Sequence, residues 1–247
     1  MKARICYELD LPINIELKDE SDVDIKKRSY IHYLSEHKDI LGAKCWGTKW
    51  LFENLTNEKV SVIEFFGGVG IMSVILQHCL NISEHVVGDI DGDCVEQTSG
   101  DERWESRIMD AKKEMLSDKG YDIYVMDHPS SSAINIHNNW LKQYDNIYKS
   151  NPKFVYWADT STSYSLSINA MNYEKFFNKS IQTHTDYFKA YSGWLFERYG
   201  YSLIKVAHRY KSKNARAAAY CLAAKGKHEL TEKDFKVEGN RDGFILF

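Results

Sequence analysis

From residue 57 onward the chain alternates between two hydrophobic periods, and this limits its fold more than any other feature. "VSVIEFF" (60–66) is a β-branched and aromatic run, followed by a glycine-rich turn and the apolar-periodic "IMSVILQHCL" (71–80). "HVVGDID" (85–91) leads into a helix start at "GDCVEQT" (92–98), and "WESRIMDAKKEML" (104–116) gives a short strand and then a polar helix. "YDIYVMD" (121–127) precedes a helix over 136–149, and "KFVYWADTS" (153–161) precedes a long helical stretch over 172–198. "YSLIKVAHRY" and "ARAAAYCLAAK" close the series as two strands joined by the polar turn "KSKN". Strands alternating with helices of about 10–15 residues predict a parallel sheet covered on both faces. The closing hairpin adds an antiparallel strand at one edge, which a plain dinucleotide-binding sheet does not need.

The fold expected is therefore α/β and Rossmann-like, with a seven-stranded, mostly parallel sheet ending in a C-terminal antiparallel hairpin. Residues 57–227 form this domain. Residues 1–56 are an N-terminal extension: 1–30 are charged and irregular, and 30–56 read as helical with a break near Gly42 or Gly47. Residues 228–247 are left as a tail.

A chain of 247 residues can bury one sizeable core. No window reaches the roughly 18 consecutive apolar residues of a membrane span, and "MKARICYELDLP" lacks the apolar core of a signal peptide. Five scattered cysteines without a CxxC pair point to reduced thiols in a cytoplasmic protein and to no metal site. The net charge of -3 conceals an asymmetry: residues 198–227 carry eight Lys or Arg and no acid. Such a run is either a solvated surface or a face that holds phosphate.

The strand ends carry the chemistry. In an open α/β sheet a ligand binds beyond the carboxyl ends of the strands. After the first strand, Gly67, Gly68 and Gly70 allow a tight turn and a close approach to a ligand. Glu64 sits inside the apolar run, where an acid needs a partner. The second strand ends on Asp89, placed to accept hydrogen bonds from both hydroxyls of a ribose, while Asp91 can cap the next helix. The third ends on Asp110, which can accept from an exocyclic amine. The fourth ends on Asp127-His128-Pro129-Ser130. Each acid alone is more often a cap than a ligand, but acids at successive strand ends behind a glycine turn form a pattern.

In that order these residues resemble the class I S-adenosylmethionine-dependent methyltransferases over about residues 60–225. "EFFGGVG" looks most like the D-x-F-x-G-x-G form of nucleic-acid methyltransferases. The resemblance implies that the loop at 66–70, with Phe66, Gly67, Gly68 and Gly70, holds the methionine part of S-adenosyl-L-methionine, and that Glu64 and Phe65 are among the cofactor-binding residues. It implies Asp89 and Ile90 for the ribose side, and Asp110 and Ala111 for the adenine. The fourth motif corresponds to [D/N/S]-P-P-[Y/F/W] of amino-methyltransferases. There the first side chain and the next carbonyl accept the N–H bonds of the target amine and aim its lone pair at the methyl group. Asp127 would thus serve both cofactor and acceptor, with His128, Pro129 and Ser130 completing the catalytic motif.

This sequence departs from the motif at two positions: His128 replaces a proline and Ser130 replaces the aromatic that stacks on a flipped base. Trp157, Tyr156 or Tyr164 would then have to supply the ring. His128 is also a candidate general base. No prolyl-cysteine is present for attack on cytosine C5, and "WADTSTS" lacks the lysine of ribose 2′-O-methyltransferases.

The function expected is methyl transfer to a nucleic acid, to a nitrogen positioned by Asp127, with segment 198–227 following the phosphate backbone. The alternative is a methyltransferase-like fold serving as a non-catalytic subunit of a complex, through a protein partner or a homo-oligomer. A small-molecule acceptor is compatible with Asp127 as well. A nicotinamide-dependent dehydrogenase fits poorly, because Ser73 stands where a third glycine is needed.

Overall fold

The computed structural model describes residues 47–68, 70–117, 120–127, 133–159, 173–209 and 218–238. In chain order the elements are β1 (Lys59–Phe65), α1 (Ile71–Cys79), β2 (Asn81–Asp89), α2 (Gly92–Thr98), β3 (Glu105–Ile108), α3 (Ala111–Glu114) and β4 (Ile123–Met126). They continue with α4 (Ala133–Lys149), β5 (Phe154–Asp159), α5 (His184–Tyr199), β6 (Tyr201–Arg209), β7 (Ala218–Lys225) and β8 (Phe235–Glu238). The strands form one sheet in the order β3-β2-β1-β4-β5-β7-β6-β8. Only β7 is antiparallel to its neighbours, inserted between β5 and β6. Strand order reverses between β1 and β4, so the crevice of this sheet lies at their carboxyl ends.

The central strands are buried on both faces, which is why they read as continuous apolar runs rather than alternating ones. On one face Val62, Val125 and Tyr156 pack beneath Met72 and Leu76 of α1 and beneath Leu51 and Phe52 of a helical turn at residues 47–52. Two contacts fix that turn. Thr48 Oγ1 hydrogen-bonds the buried Tyr156 hydroxyl at 2.9 Å, and a Cβ on Gly47 would lie 2.5 Å from Tyr220 Cδ2, so the backbone rests on the ring. On the other face Phe65, Met126 and Trp157 pack against Tyr144 and Ile147 of α4 and Tyr191 of α5.

Two expectations need correction. The sheet has eight strands, not seven, because Phe235–Glu238 pairs parallel to β6. The helical stretch expected over 172–198 is broken: residues 173–177 are helical, Asn178 takes φ 51°, and α5 starts only at His184. Thr183 makes that start. Its hydroxyl accepts from Asp186 N at 3.0 Å, and the Asp186 carboxylate accepts from Thr183 N at 2.8 Å. This reciprocal cap satisfies two amides that the helix leaves open. Thr183→Ala is expected to lower the unfolding free energy by about 1 kcal/mol, read from the urea midpoint at unchanged m-value.

Among the described residues no helix is long and apolar enough to cross a membrane. Cys79 and Cys94 are free thiols.

Candidate functional site

The carboxyl ends of four strands are knitted into one edge. Register pairs Phe65 with Gly88 and with Met126, and Asp89 with Ile108. Beyond the ladders, Gly67 N donates to Gly88 O at 3.0 Å, Met109 N to Asp89 O at 2.8 Å, and Asp127 N to Phe65 O at 3.2 Å. Glu64, Asp89, Asp110 and Asp127 therefore stand at or beside the same edge, the one the glycine turn overhangs.

Glu64 is fully buried next to the carboxyl end of β1. Ser73 Oγ, from α1, donates to its Oε2 at 2.8 Å, and His85 Nε2, from β2, lies 3.5 Å from the same oxygen. Glu64 Oε1 is buried without a hydrogen-bond partner among the described residues. It lies 3.6 Å from the point where a Cβ on Gly67 would stand. A buried carboxylate left half satisfied is costly and gains from a cation brought near it. Ser73, which removes the third glycine of a dinucleotide motif, thus becomes a ligand of the acid beneath the turn.

The turn itself requires glycine. A Cβ at Gly67 would meet Val87 Cγ1 at 2.5 Å, and Gly70 takes φ 79° as it caps α1. No side chain caps α1 and its first turn holds no acid, whereas Asp91 caps α2 by accepting from Asp93 N. Phe66, half-buried with φ 62°, meets the edge of Trp140 at 5.7 Å between ring centroids.

Asp89 is partly exposed, and its two oxygens accept from Gly68 N and Asp91 N, each at 2.9 Å. It thereby ties the glycine turn to the end of β2 and keeps a further lone pair on each oxygen. Ile90 beside it is 71% exposed, an apolar side chain left open next to an acid. Asp110 caps α3 through Lys112 N at 3.1 Å, and Ala111 is buried behind it. The cap uses one oxygen; Lys113 Nζ lies 3.5 Å from the other.

Asp127 is buried at the tip of β4. His128, Pro129 and Ser130 lie outside the described residues, as does Tyr164. Trp157 and Tyr156 are buried in the two cores, so neither is a stacking platform. Trp140 is half-buried at a kink in α4 (φ -126°, ψ 16°), with Lys112 Nζ 5.3 Å from its ring centre. Sequence reading missed it. The clue available was a lone tryptophan one strand length past the fourth motif.

The basic segment divides. Arg198 forms hydrogen bonds with Asp145, Lys225 donates to Asn151, and Lys205 lies over the Trp50 ring at 5.1 Å. Residues 210–217 lie outside the described residues.

No family model and no curated protein sequence matches the chain. Solved structures do. A Pyrococcus horikoshii protein assigned as an RNA methyltransferase aligns with a TM-score of 0.50 at 14% identity, over 75% of this chain and 86% of that one. Trm1 from Pyrococcus horikoshii, solved with S-adenosyl-L-methionine, aligns at 0.51 and 12% identity, over 75% of this chain and 55% of its own. The plantazolicin methyltransferase BpumL, solved with S-adenosylhomocysteine and a substrate analogue, aligns at 0.50 and 11% identity, over 82% and 91%. At these identities the likeness is one of architecture: the chain has the Rossmann-like fold of the class I methyltransferases.

Proposed function

We propose that the chain binds S-adenosyl-L-methionine at this edge and transfers its methyl group to a nitrogen of a nucleic acid. The observation that carries the cofactor is Glu64: a fully buried carboxylate with one oxygen unsatisfied, directly beneath a glycine turn. The residues present suit the group. Glu64 places negative charge under the turn, toward the α-ammonium of the amino-acid end. The uncapped start of α1 offers amides to its carboxylate. Asp89 retains lone pairs for ribose hydroxyls, and exposed Ile90 offers an apolar wall to the adenine.

Bound there, the cofactor supplies an electrophilic methyl on a sulfonium. The protein's part is to hold the acceptor in line. Asp127, tied through its amide to the end of β1, places a carboxylate at the switch point, beside the glycine turn. An acceptor amine donating N–H to that carboxylate has its lone pair turned away from it, toward the turn. Burial raises the value of this interaction, because water is excluded where charge develops on the nitrogen.

Support for a nucleic-acid acceptor is the charge pattern. Lys211, Lys213 and Arg216 fall in the sequence between β6 and β7, whose paired ends Arg209 and Ala218 lie at the edge that holds Asp127. Trp50, with Lys205 at 5.1 Å and Lys236 at 5.8 Å, adds a basic and aromatic surface of the kind that single strands stack on. Free thiols at Cys79 and Cys94 suit a reducing cytoplasm.

The test is transfer of labelled methyl to RNA, DNA and free nucleosides. Asp127→Ala, which removes the accepting side chain, is expected to lower kcat by about 10²–10³ with cofactor affinity within a few fold of wild type. Cofactor binding without transfer to any acceptor would instead mark the chain as a non-catalytic subunit.

A further inference from the structure

We infer that Gln77 and His85 set the charge of the cofactor site, holding the buried Glu64–His85 pair at one net negative charge so that the ligand supplies the missing positive one. The inference rests on the cofactor reading above and assigns roles to two residues outside the glycine turn.

The hydrogen bonds fix the proton. Gln77 Nε2 lies 2.9 Å from Arg103 O, and a carbonyl only accepts, so this nitrogen donates. The same nitrogen lies 3.0 Å from His85 Nδ1. Its second N–H goes there, and Nδ1 must offer a lone pair. The ring proton therefore sits on Nε2, which faces Glu64 Oε2 at 3.5 Å. A ring that accepts at Nδ1 is neutral, so His85 stands beside the carboxylate, too far for a formed hydrogen bond, without cancelling its charge.

Among the described residues no Lys or Arg is paired with Glu64. Ser73 is a neutral donor. Arg103 donates from both Nε and Nη2 to Asp101 and stacks 4.8 Å over Trp104, whose ring is 6.0 Å from that of His85. Glu64 thus keeps a net charge in a region of low dielectric, with Oε1 unsatisfied under Gly67. A Glu–His pair could have been a neutral ion pair; Gln77 is the residue that prevents it.

Gln77→Glu reverses this. A carboxylate at 77 accepts from Nδ1–H, favours the doubly protonated ring and so neutralises Glu64. Calorimetric titrations should compare S-adenosylhomocysteine with 5′-methylthioadenosine, a neutral nucleoside lacking the amino-acid end. Gln77→Glu leaves the three side chains at a net charge of minus one but moves that charge from beneath the turn to position 77, across the His85 ring. It is therefore expected to weaken the first about tenfold and to leave the second within twofold. Its thermal midpoint should be no lower than wild type. The double variant His85→Gln/Gln77→Glu, which keeps an N–H toward Glu64 but has no ring to protonate, is expected to recover most of the lost affinity. Parallel weakening of both ligands, or a double variant no tighter than Gln77→Glu alone, would overturn the inference. A wild-type protein that binds neither compound overturns the cofactor reading itself.

Discussion

Gly67→Ala is expected to lower the affinity for S-adenosylhomocysteine by about 10²-fold while the protein stays folded. The added Cβ would stand 2.5 Å from Val87 Cγ1. Val87 cannot retreat: it is β-branched, with few rotamers, and lies buried in β2 between β1 and β3. The turn must move instead. It is held there by Gly67 N to Gly88 O and by Gly68 N to Asp89, so a shift of the turn also moves the acid assigned to the ribose. Misplacement near 1 Å commonly costs about 10²-fold, and the overpacking itself costs about 1–3 kcal/mol of stability. Gly100→Ala is the control, since nothing lies within 4 Å of its added Cβ; there the change should stay within about 0.5 kcal/mol. Calorimetry and urea unfolding separate the two effects. Wild-type affinity in Gly67→Ala would show that the turn is not the cofactor's seat.

The sheet was legible because its strands announce themselves by period and by burial. "VSVIEFF" and "YDIYVMD" are mostly apolar without alternation since both faces are covered, and the hairpin of β6 and β7 follows from two such runs in succession. The eighth strand was not legible: "FKVE" is short, half charged and lies at the sheet's edge, where nothing enforces an apolar pattern. The break before α5 was hidden because aromatic residues keep helical spacing across it, although Thr183 and Asp186 spell out a cap.

At the site, the acids were legible as types and positions but not as networks. Asp91 caps α2, as its place before "GDCVEQT" suggested. Glu64 was read as an acid in need of a partner, yet its partners come from α1 and β2, and no linear pattern joins Ser73, Gln77 and His85 to residue 64. Trp157 and Tyr156 failed as stacking candidates for a reason already present in "KFVYWAD": a run without alternation has no exposed face. The basic run between 198 and 227 was plain as composition, but the turn from α5 into β6 and the antiparallel β7 send Arg198, Lys205 and Lys225 to different neighbours.

Acid should unfold this protein well before its carboxylates titrate. His184, at the start of α5, and His208, in β6, are both buried, with ring centroids 6.1 Å apart. Burial pushes the His184 imidazole down to about 4. Burial, and then the neighbouring His184, pushes His208 down to about 3. In the unfolded chain both return to about 6.5. Above pH 7 neither state binds these protons, so stability is flat. As the pH falls through 6.5 the unfolded state takes up protons that the folded state refuses, and stability drops until the folded values are reached. At about 1.4 kcal/mol per pH interval for each ring, the loss by pH 4 is on the order of 5 kcal/mol, comparable to the whole stability of many domains. Asp101, Asp122 and Asp234, whose carboxyls are held below the usual range by hydrogen bonds to Arg103, Ser61 and Thr231, add their own loss only below pH 4. The interval from pH 6.5 to 4.5 therefore isolates the histidines. Urea unfolding across it should show a slope that His208→Leu cuts by about half, whatever that substitution does at pH 7.5. An unchanged slope would place the acid sensitivity elsewhere.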